Sequence, residues 1–260
     1  MRINFAWSRI GCLVAVLSAC WAVPTIGRAQ TDEIQVYDGA IEEPGKFSVE
    51  LHNNYTPRGP AQPKFQGGLA PNHLLNGVPE WAVGVSESLE LGAYLPLYSV
   101  TGDGNLLFNG VKLRALLVAP HADERRIFFG VNFELSYNIP HWEPTRFSGE
   151  VRLIVGTQIG PIRFILNPIF DTSFHGFQEL EFGPAERLDY RFSPTWTAAL
   201  EHYSDYGQID QLEPANRQEQ TLFAVVDFSS GANGVELGIG HGFTKASEDL
   251  ILKLEVEHHF

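Results

Sequence analysis

Cysteine is nearly absent from this 260-residue chain: there are two, Cys12 and Cys20, both within the first 29 residues. Everything after residue 29 therefore has no thiol with which to build a disulfide framework, a thiolate nucleophile or a cysteine metal site. Cations are scarce too. Eighteen Lys and Arg face 31 Asp and Glu, a net charge of −13, which argues against a nucleic-acid partner. Long apolar runs are also missing beyond residue 29, where nothing approaches the ~18 residues a membrane helix needs. That excludes a helical membrane protein but not a β-barrel, whose strands show only every second residue to lipid.

Residues 1–29 have the layout of an export signal, with Arg2 and Arg9 in a basic start, an apolar stretch from Ile10 to Val23, and Gly27-Arg28-Ala29 before Gln30. Cleavage after Ala29 removes three Arg and no acid, leaving 15 bases against 31 acids, a net −16. Leu17-Ser18-Ala19-Cys20 offers a competing, lipobox-like site; the apolar stretch runs on past Cys20 and favours Ala29. Residues 30–44 are polar, acidic and weakly patterned. They are expected to line the periplasmic mouth, plug a lumen or stay mobile, and residues 45–260 are expected to form one barrel domain.

Alternation of apolar and polar residues recurs from residue 46 onward in segments about the ~9 to 11 residues that a tilted strand uses to cross a bilayer. Strands are predicted near Lys46–Tyr55, Pro79–Ser86, Leu89–Tyr98, Phe108–Leu117, Ile127–Tyr137, Phe147–Thr157, Ile162–Asp171, Leu180–Tyr190, Thr195–Ser204, Gln220–Phe228, Val235–Phe243 and Leu250–Phe260. The clearest sets Ile127, Phe129, Val131, Phe133, Leu135 and Tyr137 against Gly130, Asn132, Glu134 and Ser136. Leu180–Tyr190 is weak, because Pro184 and Glu186 share a face with Phe182 and Leu188. Connections after odd-numbered strands are generally longer, Thr56–Val78 most of all, and Val118–Arg126 breaks the rhythm. An even count of strands with short turns at one end and long loops at the other predicts an all-β, up-and-down antiparallel transmembrane barrel of about twelve strands.

Alternation alone does not say which face is inside. A soluble periplasmic ligand-binding barrel of the lipocalin kind would bury the apolar face instead. The export signal, the even count, the loop rhythm and aromatics at strand ends (Tyr55, Trp81, Tyr98, Tyr137, Trp196, Phe260) favour lipid outside. The final strand, with Phe260, His258, Val256, Leu254, Leu252 and Leu250 on one face, is similar to the closing strand of bacterial outer-membrane barrels. That resemblance implies that Phe260 is part of the signal read by the barrel-assembly machinery. The whole mature chain resembles a loosely defined group of uncharacterised proteobacterial outer-membrane barrels often labelled transporters. The likeness is carried by Asp32-Glu33-Ile34-Gln35-Val36-Tyr37, Gly130-Val131-Asn132-Phe133-Glu134-Leu135-Ser136-Tyr137 and Tyr203-Ser204-Asp205-Tyr206-Gly207-Gln208. It implies a Gram-negative outer-membrane location, outer-membrane lipid as a partner and a small solute as possible cargo.

With lipid outside, the lumen collects Glu50, His52, Glu80, Glu90, Lys112, Arg114, Asn132, Glu134, Glu150, Arg152, Asn167, Asp171, Glu201, Glu236, Lys253 and Glu255. Two readings follow: a narrow channel that selects solutes by charge and size, or ion pairs that simply fill the barrel. One stretch hints at an enzyme instead. His202-Tyr203-Ser204 with Asn216 is similar to the His-x-Ser pair and downstream Asn of outer-membrane phospholipases, which implies His202 as base, Ser204 as nucleophile and Asn216 orienting the imidazole. That family continues Asn-Gly where this chain has Asp205-Tyr206, so the backbone turn and its oxyanion donor are in doubt. The remaining histidines form no metal box: His258 and His259 are adjacent and point to opposite faces, and His73, His121, His141 and His175 lie in separate connections. No metal and no cofactor are expected, and a non-enzymatic barrel is the leading reading.

Overall fold

The computed structural model describes residues 33–260. The expected signal, its cleavage point and the lipobox at Cys20 lie outside the described residues. Fourteen strand segments run in chain order: β1 (Phe47–Arg58), β2 (Leu74–Ser86), β3 (Leu89–Val100), β4 (Leu106–Val118), β5 (Ile127–Asn138), β6 (Phe147–Ile159), β7 (Ile162–Asn167), β8 (Ile169–Thr172), β9 (Glu181–Phe182), β10 (Ala185–Arg191), β11 (Trp196–Asp205), β12 (Glu219–Ser230), β13 (Asn233–Gly242) and β14 (Leu250–His259). Each pairs antiparallel with its neighbours, and β1 pairs with β14, so the sheet closes on itself. β7 with β8 and β9 with β10 are halves of single crossings, broken at Pro168 and at Gly183-Pro184. Proline has no N–H to give a ladder, which is why both breaks fall there. The crossings therefore number twelve.

The predicted strands recur with small boundary changes, and the largest concerns the first loop. β1 runs on to Arg58 and β2 starts at Leu74, so the loop is 59–73 rather than Thr56–Val78. Gly77 and Pro79 hid this extension from the alternation. Gly77 is required because the Tyr98 ring lies over it: a Cβ there would sit 2.5 Å from the ring. Across that glycine the Tyr98 hydroxyl donates to Asn53 Oδ1 (2.8 Å), satisfying an amide on the apolar face. The β2–β3 ladder shifts register between Gly77 and Glu80, where Pro79 and Pro96 fall.

The apolar face is outside. Phe133 and Leu135 are 44% and 49% exposed, while Asn132, on the other face of the same strand, has no accessible surface. Ten steps from Ile127 to Tyr137 at ~3.3 Å, tilted ~40°, make a band about 25 Å tall, the height of an outer-membrane barrel's apolar belt. A lipocalin-like interior is overturned by this orientation. Turns 87–88, 160–161, 192–195 and 231–232 share one end with the start of β1 and the end of β14, and loops 59–73, 139–146, 173–180, 206–218 and 243–249 crown the other. The long turn 119–126 at the short-turn end has its own reason. It forms a 3-10 turn at Ala122–Glu124, and Ala122 is buried inside the barrel mouth against Val36, Tyr37 and Phe128.

Candidate functional site: the lumen and its N-terminal segment

Residues 33–44 run down the lumen from beneath the long loops to the short-turn end, where Gly45 N–H donates to Gly84 C=O (2.8 Å). Tyr37 N–H donates to Asn167 Oδ1 (2.7 Å), and Asn167 Nδ2 donates back to Tyr37 C=O (3.0 Å). Lys253 Nζ donates to Ile34 C=O (2.8 Å) and Arg152 to Gln35 C=O (3.0 Å). Backbone groups with no strand partner are thus satisfied by wall side chains. Arg152 lies 4.6 Å from the Tyr37 ring centre, a cation–π contact, and the Tyr37 and Tyr94 hydroxyls bond to each other.

The wall is shaped for this segment. Inward-facing Leu116, Phe128, Ile154 and Ile165 bury Val36 and Tyr37, while Ala199, Phe223, Val225 and Ile251 bury Ile34. Such apolar side chains on the lumen face interrupt the polar alternation. In an open water-filled pore they would face water, so they fit a lumen that holds a second apolar surface.

Elsewhere the lumen is a lattice of ion pairs. Arg114 binds Glu80 and Glu90 (2.6 Å to Glu90), and Arg152 binds Glu150 (2.8 Å) and Glu33 (3.3 Å). Lys112 pairs with Glu134 (2.9 Å). Lys253 joins Glu201 (2.7 Å), Glu236 and Glu255 (3.6 Å). Arg187 gathers Glu201, Asp227, Glu236 (2.7 Å) and Asp189 (3.4 Å), and Arg163 bridges Asp38 (2.6 Å) to Asp189 (2.9 Å). Removing one partner from such a buried pair leaves an uncompensated charge, which is strongly destabilising.

Above Glu33, Ile34 and Gln35 lies a vestibule of about 350 Å³ at the long-loop end, walled by Trp142, Glu143, Glu179, Glu181, Asp205, Glu219 and Glu248 among others. Loop 59–73 is clasped over its side by Lys64, 2.9 Å from Glu219 and 3.4 Å from Glu248. Burial alone would lower the Lys64 pKa, but the two facing carboxylates outweigh it and hold the ammonium above the ordinary lysine range. At the other end burial would raise the Asp38 pKa, and the Arg163 guanidinium outweighs that and holds it below the usual carboxylate range.

All the lumen residues named from the sequence point inward, Glu50, His52, Glu80, Glu90, Lys112, Arg114, Glu134, Glu150, Arg152, Glu201, Lys253 and Glu255 into the lattice and Asp171 into the water-exposed vestibule. Sequence reasoning missed Arg163, Arg187, Asp189, Asp227, Tyr94 and the luminal side chains of residues 33–38. Arg187 and Asp189 alternate with outward Leu188 and Tyr190, a signal obscured by Pro184 and Glu186. The three-residue catalytic constellation is not assembled. His202 faces outward with Nδ1 2.9 Å from Glu186, Ser204 donates to Gln220 Oε1 (3.1 Å), and Asn216 is exposed in loop 206–218. Phe260 extends the seam, its N–H donating to Phe47 C=O (2.8 Å), with its ring exposed.

No protein-family model matches the chain, and no curated protein matches it. Solved structures do. The chain is similar to the COG4313 outer membrane channel from Pseudomonas putida F1, with a TM-score of 0.57 at 12% identity over 88% of this chain and 100% of that one. Its likeness to the KdgM porin has a TM-score of 0.56 at 9% identity, covering 82% and 99% of the two chains. For the NanC porin the values are 0.53, 9%, 81% and 98%. The chain has the fold of an outer-membrane β-barrel. At these identities the likeness is one of fold, and the outward apolar belt agrees with it.

Proposed function

We propose that this barrel is a non-enzymatic, narrow passive channel for small solutes, whose lumen is occupied in the present conformation by its own N-terminal segment. The observation that carries this reading is the vestibule of about 350 Å³, which ends on Glu33, Ile34 and Gln35 rather than on a wall strand. A floor made of a segment that is not part of the wall can leave; a floor made of wall strands cannot. The vestibule walls are rich in carboxylates, so cations are the favoured solutes. The similar structures with TM-scores above 0.5 are described as channel or porin, which supports the reading. Lipid and the barrel-assembly machinery are the partners this role requires.

The test is single-channel recording of the purified protein in planar bilayers, full-length and with residues 33–41 deleted. Discrete conductance that rises on deletion, with a reversal potential favouring cations, is expected. Neutralising Arg114 or Arg152 in the deleted form shifts the reversal potential further toward cations. Absence of conductance from both folded forms would make the molecule a filled structural barrel instead. An acyl-ester hydrolysis assay in mixed micelles is expected to give no Ser204-dependent rate; activity lost in Ser204→Ala would overturn the non-enzymatic part.

A further inference from the structure

At the seam where β1 meets β14, three side chains from two strands converge inside the wall: Glu50 and His52 on β1 and Glu80 on β2, with their ligand-capable atoms all within 4.8 Å of one another. His52 Nε2 lies 3.1 Å from Glu80 Oε2 and 3.8 Å from Glu50 Oε2. Donor atoms bound to one ion in a tetrahedron at about 2.0 to 2.1 Å are about 3.3 to 3.4 Å apart, and the two distances bracket that value.

The surroundings form the outer shell such an ion needs. His52 Nδ1 is 3.5 Å from Glu255 Oε1; neither atom has a hydrogen bond, and both are buried in residues with 0% and 4% exposure. A neutral imidazole carries one proton. With that proton on Nε2 toward Glu80, Nδ1 turns a lone pair toward the Glu255 carboxylate; the contact is satisfied only when Nδ1 also carries a proton, in an imidazolium or in a ring whose Nε2 is held by an ion. An ion on Nε2 moves the proton to Nδ1, which then donates to Glu255, the carboxylate–histidine–metal arrangement that orients a ligand histidine. Arg114 holds the other oxygen of Glu80, and Gln35 Nε2 donates to Glu50 Oε2 (3.3 Å). Glu50 has no Lys or Arg in ion-pair contact among the described residues, so a cation there also offsets charge. Glu257, the β14 partner of Glu50, stands toward the short-turn mouth with Glu42 and His259, and the Glu50 side chain itself keeps 16% exposure.

We propose that Glu50, His52 and Glu80 bind one divalent transition-metal ion of the zinc type, with Glu255 positioning the imidazole, and that the ion staples the β1–β2–β14 seam. One imidazole among carboxylates favours such an ion over Mg²⁺ or Ca²⁺, which take oxygen ligands. The proposal is independent of the channel reading.

Co²⁺ is the probe. The purified full-length barrel, stripped with a chelator and kept folded in detergent, is titrated with Co²⁺ and followed by visible absorption. One equivalent giving the intense bands of a four-coordinate ion, displaced by Zn²⁺, is expected. His52→Asn abolishes the bands, Glu255→Gln weakens binding ~10- to 100-fold, and His258→Asn, on the outer face, changes nothing. A wild-type barrel without a saturable single-equivalent signal overturns the proposal, as does a signal that survives His52→Asn. Should His52→Asn fail the heat-shifted gel migration that marks a folded barrel, Glu50→Gln decides. A loss of at least ~10-fold in affinity supports the site, and unchanged affinity refutes it.

Discussion

Replacing Ile34 by Ala perturbs the N-terminal segment without touching the ion-pair lattice. Ile34 is 5% exposed, packed on Ala199, Phe223, Val225 and Ile251. The substitution removes three carbons' worth of buried apolar surface, worth ~2 to 3 kcal/mol where the neighbours relax little. If the segment leaves the lumen as a unit, that loss falls wholly on the closed state. At ~1.4 kcal/mol per factor of ten, the closed-to-open ratio falls ~30- to 150-fold. The segment starts from a near balance: ordering nine residues costs ~1 to 2 kcal/mol each, and three buried side chains with a handful of hydrogen bonds return a similar sum. A shift of this size is therefore large enough to see as open probability in single-channel records. The wall keeps all of its pairs except those made to the segment, so heat-modifiable gel migration should change little. A closed-to-open ratio within a factor of two of wild type in Ile34→Ala, together with unchanged conductance on deleting residues 33–41, would refute the idea that this segment closes the pore.

Three further outcomes are expected. Arg187→Ala leaves Glu201, Asp227, Glu236 and Asp189 facing one another with one cation fewer, and should lower barrel stability by ~3 to 5 kcal/mol in urea titration followed by gel mobility; a change below ~1 kcal/mol would mean water already screens that cluster. For the loop clasp, a base whose folded pKa lies above its unfolded value contributes stability that is complete below the unfolded pKa near ~10.4 and is lost as pH rises through the folded one. Limited proteolysis of loop 59–73 should therefore stay slow past the normal lysine range, and Lys64→Met should be cut quickly already at neutral pH. Deleting Phe260 removes one seam hydrogen bond and an exposed ring, so the folded barrel should survive in detergent while its assembled yield in the outer membrane drops; full assembly without it would show that the residue carries no assembly signal.

What the chain says plainly is its period. Phe129 to Tyr137 alternates without a fault, and every lumen charge read from such strands faces inward, because a two-residue repeat leaves no other choice once the apolar side meets lipid. The period fails where a residue answers to something outside its own strand. Gly77 is small for Tyr98, two crossings are cut by prolines, and turn 119–126 is long because Ala122 reaches the N-terminal segment. The same holds for Ile154 and Ile165, apolar side chains on a face otherwise given to Arg152, Arg163 and Asn167. Read along the strand they look like noise in the alternation. Placed beside Val36 and Tyr37 they become the second half of a buried surface whose first half is more than 100 residues away, and no local pattern couples the two. The segment's own polar character left a mouth lining, a plug and a mobile tail all open, until Arg152, Glu50 and Arg163 are found paired with Glu33, Gln35 and Asp38. The choice of a luminal plug is made by the wall: apolar residues on the wet face of a barrel strand imply a partner inside the barrel, and among the described residues Ile34, Val36 and Tyr37 supply it.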